Sequence, residues 1–157
     1  MSNPISTILN KLGWYHQKAI SLNDPTVSIS LPEIEAVIRA NCAVASSIEF
    51  FNTDPGYKAI SEADLVNIVN ASPSRRYAYV PEDRDCDDFV RIFRGWLSEL
   101  GYGNLVFAKC LIKMDGSQHA MVLAIIHTPK GFACRYIEPQ SNSIFQHISG
   151  EIYFLEV

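Results

Sequence analysis

The run from His119 to Ile126, the four residues Thr128-Pro129-Lys130-Gly131 and the run Phe132 to Ile137 constrain this chain more than any other stretch. Two strand-like segments flank a tetrapeptide with proline at its second position, which is a β-turn joining two antiparallel strands. If Pro129 and Lys130 are the two loop residues, positions facing each other across the pair sum to an odd value. His119 and Glu138 then share one face, directly opposite or diagonal, about 5 to 8 Å apart. One further loop residue would put Glu138 on the other face.

Ahead of this hairpin, Asp85-Cys86-Asp87-Asp88-Phe89 opens a helix. Asp85 is a good N-cap, and Asp88 stands three residues on in a capping-box position. Phe89, Phe93, Trp96, Leu97 and Leu100 recur at helical spacing until Gly101. Cys86 shares the azimuth of that apolar stripe and sits where the positive end of a helix favours a thiolate. Asp87 and Asp88 suit the helix dipole but oppose a thiolate unless a cation neutralises them. A thiol, an imidazole and a carboxylate thus occur in the order Cys86, His119, Glu138, the inventory of a nucleophilic thiol site.

Elsewhere the pattern gives helices first and strands later. Ile5 to Ile20 places Ile5, Ile8, Leu9, Leu12 and Tyr15 on one face. Ser30 and Pro32 start a second helix holding Ile34, Val37, Ile38 and Ala45. Asp54-Pro55-Gly56 is a turn, and Ser61 with Asp64 caps a third helix through Leu65, Ile68 and Val69. Ser72-Pro73-Ser74-Arg75-Arg76 breaks it before a short strand, Tyr77 to Val80. Strands near 105 to 112, 119 to 126, 132 to 138 and 151 to 156 follow. Segregated helices and an antiparallel sheet give an α+β fold class, with residues 1–76 a helical N-terminal subdomain and 77–157 carrying the Cys/His/Glu constellation.

Composition excludes some functions. A net charge of −4 and the absence of a basic stripe argue against nucleic acid or an anionic membrane as partner. The longest apolar run, Ala120 to Ile126, is far too short to span a bilayer, and no export signal is visible, so the expectation is a cytoplasmic chain. The four cysteines, at 42, 86, 110 and 134, show no CxxC pairing, which fits reduced thiols. Open edges in a small sheet are compatible with a homodimer.

The three short motifs Asp85-Cys86-Asp87-Asp88-Phe89, His119-Ala120 and Ile137-Glu138-Pro139-Gln140-Ser141 resemble the papain-like cysteine-protease domain of the mushroom-agglutinin C-terminal type, a family also met in phage and bacterial proteins. The resemblance covers roughly the second half of the chain. It implies a papain-like fold, N-terminal helices followed by a nucleophile helix packed on a small antiparallel sheet, and a cysteine peptidase or amidase acting on a peptide or protein substrate. Cys86 would be the nucleophile, His119 the base and acid, and Glu138 the residue orienting the ring. It also implies Ca²⁺ in the site, and Asp87, Asp88, Glu138 and Gln140 are hard oxygen ligands of the kind calcium prefers. Papain-like enzymes carry a glutamine upstream of the nucleophile for the oxyanion. None occurs in residues 77–83; Tyr79 is the side chain there that could wall the site or donate, and backbone N–H groups at the start of the Cys86 helix could serve instead.

Each residue also has a plain structural reading: Cys86 a helix-start thiol, His119 satisfied by a carbonyl, Glu138-Pro139-Gln140 a polar strand end, Asp87 and Asp88 acids complementing the dipole. The alternative to the hydrolase is therefore a non-catalytic calcium-binding or dimerisation module on the same fold. A zinc site of Cys86, His119 and a carboxylate is a third reading.

Overall fold

The turn at Thr128–Gly131 closes with two loop residues, and its register fixes the centre of the sheet. Thr128 faces Gly131, Val122 faces Ile137, and the pairing runs without a bulge between them. In the computed structural model, residues 20–51 and 56–157 are described. The helix expected over 5 to 20 lies outside these residues but for its last position, as does most of the turn expected at 54 to 56.

The elements in chain order are β1 (Val27–Ile29), α1 (Leu31–Asn41), β2 (Val44–Phe51), β3 (Tyr57–Ala59), α2 (Glu62–Ala71), a 3-10 turn (Ser74–Arg76), α3 (Cys86–Glu99), β4 (Phe107–Met114), β5 (Ser117–Thr128), β6 (Gly131–Glu138), β7 (Ser143–Phe145) and β8 (Glu151–Glu156). Six strands form one sheet in the order β2-β8-β4-β5-β6-β7, and β1 pairs with β3 in a separate two-stranded ribbon. All neighbours in the large sheet are antiparallel except β2 and β8, which run parallel.

Alternation along the strands divides the interior in two. Cys110, Ile112, Met121, Leu123 and Ile125 face Ile34 and Ile38 of α1. Phe107, Ala120, Val122, Ala124 and Ile126 face Leu65 and Ile68 of α2 and Val90, Phe93 and Leu97 of α3. Burying both faces is why β5 reads as a nearly continuous apolar run.

The α+β papain-like arrangement is corrected by this architecture. Eight strands stand against three short helices among the described residues, so the chain is mostly β. The sheet is neither small nor wholly antiparallel. Residues expected to be helical contribute strands: Ala45, placed inside a helix by the pattern, lies in β2, because α1 ends at Asn41 and Val44–Phe51 pairs with β8 instead. The strand expected at Tyr77 to Val80 is a loop with one bridge, between Val80 and Arg84. Among the described residues no helix is long and apolar enough to cross a membrane.

Asp64 on α2 ties residues 20–25 to this core. It is 1% exposed, and its carboxylate accepts from the Asn23 N–H at 2.9 Å, the Asn23 amide at 3.3 Å and the Asp24 N–H at 3.0 Å. Burial pushes the carboxyl up, but the hydrogen bonds from Asn23, Asp24 and Ser61 outweigh it and leave the group below its ordinary value. A lowered folded-state value means the stabilisation is complete above the unfolded value near about 4 and fades as pH falls through the folded one. Asp64→Ala is expected to lower the unfolding free energy by about 2 kcal/mol at about pH 7. In urea titrations that deficit should shrink towards about pH 3; a deficit that is constant with pH would show that the carboxylate charge contributes nothing.

Candidate functional site

Helix α3 begins as the sequence dictates. The Asp85 carboxylate accepts from the Asp87 N–H at 3.3 Å, and Asp88 closes the capping box by accepting the Asp85 N–H at 3.4 Å. This fixes Cys86 as the first helical residue, half-buried against the α2/α3 core.

In front of the thiol is a cleft of about 210 Å³, lined by Cys86 and Asp87 of α3, Lys109 and Leu111 of β4, Gln118, His119 and Ala120 of β5, and Tyr153 of β8. His119 Nε2 and Glu138 Oε2 are 2.5 Å apart, and the second Glu138 oxygen accepts the Gln140 N–H at 3.0 Å. The register makes this pair diagonal, because the position facing His119 is 140 and Glu138 lies two residues before it. His119 and Glu138 sit where β5 begins and β6 ends, at the rim of the cleft.

By alternation His119 has the parity of Met121, which faces α1, whereas Cys86 packs with the α2/α3 layer. Among the described residues no hydrogen bond joins the Cys86 thiol to the ring. Cys86, His119 and Glu138 also do not bring ligand atoms within 4.8 Å of one another, so the zinc reading has no support.

The acids beside the thiol have partners of their own. Arg91 donates to Asp88 at 2.6 Å and also to Asp87, and Lys109 donates to Asp87 at 3.3 Å. The hydrogen bond shared with Asp85 lowers Asp87 first of all, with Lys109 and Arg91 adding to it, while Asp85 is pushed up by facing Asp87. Arg91 and Lys109 thus supply the neutralising cations that the sequence argument asked of a metal.

Asp85, Asp87 and Asp88 do place carboxylate oxygens within 4.8 Å of one another, a donor set chemically suited to a hard cation. Arg91 and Lys109 engage the carboxylates of Asp87 and Asp88, the Asp85 carboxylate caps the helix, and Glu138 and Gln140 are outside the group. Tyr79 stands in the loop before α3, 55% exposed, and is not among the residues lining the cleft.

Lys109, Gln118 and Tyr153 line the cleft unforeseen by the sequence analysis. Strand alternation was the signal available for Gln118, since it shares the parity of Ala120 and Val122, which face the helix that carries Cys86.

Fold and site together define a six-stranded mixed sheet with helices on both faces and a thiol-bearing cleft at one end. Two solved structures are similar to this chain. The first is a PSL1a-E64 complex, with a TM-score of 0.72 and 20% identity, covering 83% of this chain and 51% of that one. The second is Polyporus squamosus lectin bound to the human-type influenza-binding epitope Neu5Aca2-6Galb1-4GlcNAc, with a TM-score of 0.66 and 19% identity, covering 83% and 49%. The chain therefore spans about half the length of the structures it matches, and the likeness is one of fold. No protein-family model matches the sequence, and no curated protein does.

These findings correct the functional expectations. The resemblance to a papain-like cysteine-protease domain, the cysteine hydrolase acting on a peptide or protein substrate, and the calcium-binding or dimerisation module offered as its alternative are not carried further. The neighbour whose fold this chain shares is described as a lectin.

Proposed function

We propose that the cleft at the start of α3 is a ligand-binding site that holds electrophilic ligands through the Cys86 thiol. His119 at the rim accepts the thiol proton, and Glu138 orients the ring. The observation supporting this reading is that Cys86 of α3 and His119 of β5 line one cleft, with Glu138 bonded to the ring. The similar PSL1a fold in complex with E64 points to a ligand class to try first. All four cysteines are free, which fits a reducing compartment such as the cytoplasm.

E64 carries an epoxide, and attack by the thiolate forms a carbon–sulfur bond while the ring carbon–oxygen bond breaks and the oxygen takes a proton. The folded chain is expected to gain the mass of one E64, mapped to Cys86, and Cys86→Ser to gain none. Labelling at Cys42 alone, or no labelling, would overturn the reading.

A second reading, carbohydrate recognition, is favoured by the sialylated epitope on Polyporus squamosus lectin. Binding to a glycan array that survives Cys86→Ser would support it against the first.

A further inference from the structure

We propose that Gln118, held by Tyr153, is the oxygen-binding residue of the cleft and suits it to ligands with an electrophilic carbonyl, aldehydes in particular. The inference rests on the reading of Cys86 as a ligand-capturing thiol. Gln118 and Ala120 of β5 and Lys109 and Leu111 of β4 belong to the strand positions turned towards the α2/α3 layer, and Tyr153 enters from β8, on the other side of β4. All of them line the same cleft as Cys86.

The Tyr153 hydroxyl donates to Gln118 Oε1 at 2.8 Å. The acceptor end of the amide is thereby taken, and its NH₂ end is turned away from the tyrosine. Among the described residues that NH₂ has no other hydrogen-bond partner. Burial, and then the nearby Cys86, push the Tyr153 phenol up, so it remains an O–H donor and keeps the amide in this orientation. A second donor lies close by, since the Cys86 N–H, first of α3, has no intrahelical acceptor.

An aldehyde needs such donors. When the thiol adds to it, the sulfur–carbon bond forms and the carbon–oxygen π bond breaks, and the electron pair moves to oxygen. The thiol proton, carried by His119, ends on that oxygen, giving a hemithioacetal with no change of oxidation state. N–H groups aimed at the oxygen stabilise the charge as it develops. Gln118 would bind the ligand, and Tyr153 is a positioning residue that acts through it.

The test uses the whole chain, butyraldehyde as the probe, and protection of Cys86 against E64 as the readout by intact mass, normalised to the E64 capture rate of each variant. Butyraldehyde is expected to protect the wild type. Gln118→Ala and the shape-preserving Gln118→Glu are expected to need about tenfold more aldehyde, and Tyr153→Phe an intermediate amount. Equal protection of wild type and both Gln118 variants would overturn the proposal. A wild type that captures E64 but is not protected overturns it while leaving the thiol reading intact, whereas a wild type that captures no E64 removes both.

Discussion

Phe93→Ala is expected to lower the unfolding free energy by about 3–5 kcal/mol and the melting temperature by about 10 °C. Phe93 is fully buried in the middle of α3, with its ring 6.1 Å from Trp96 and 5.6 Å from Phe107 of β4. Removing it leaves a cavity bounded by a helix on one side and a sheet on the other. Neither can collapse far, because β4 is hydrogen-bonded to both β5 and β8. Phe51 provides the contrast: it stacks on Phe154 at 5.3 Å but is 51% exposed, so Phe51→Ala should cost under about 1 kcal/mol. Denaturant titration of both variants measures this, and a Phe93→Ala midpoint equal to that of the parent would mean that α3 is not docked on the sheet. Because α3 carries Cys86 at its first position, the variant should also capture E64 more slowly.

The second large effect concerns chemistry rather than stability. His119→Ala is expected to slow E64 capture at Cys86 about 100-fold at about pH 7, followed as an intact-mass time course. The imidazole side chain is 25% exposed at the end of the sheet, so its loss should leave the melting temperature nearly unchanged. Glu138→Gln preserves a hydrogen-bonding side chain opposite the ring but removes its charge, and a smaller slowing of about tenfold is expected. An unchanged rate in His119→Ala would show that the thiol is activated by the start of the helix alone. The two predictions also separate causes, since Phe93→Ala acts through folding and His119→Ala does not.

The hairpin was legible because a two-residue turn fixes parity, and parity determined that His119 and Glu138 would meet. Helix α3 was legible because its cap and its apolar stripe agree about where it begins. Strand β2 was not. Val44–Phe51 has no decisive period of its own, and what makes it a strand is a partner near the other end of the chain. The loop at 77 to 84 misled for the opposite reason: Tyr77, Tyr79 and Val80 have strand propensity but remain exposed, at 46%, 55% and 36%, with no neighbouring strand to pack on. The cleft was half legible. Cys86 and His119 announce themselves by residue type, but Tyr153 and Lys109 reach the site only because β8 lies beside β4, and strand order is not written in local pattern. The three short motifs carried local chemistry without carrying the function inferred from them.

The parallel pairing of β2 with β8 has a consequence for the order of assembly. Strand β8 lies between β2 and β4, so the early strand has no neighbour in the large sheet until residues 151–156 arrive. The β4–β5–β6 meander can form from local contacts, whereas inserting β8 requires closing a loop over most of the described chain, which is a late and slow step. Until then both β2 and the flank of β4 present unpaired backbone, the surface on which strands of different molecules pair wrongly. The chain would therefore be most prone to aggregate before β8 is in place.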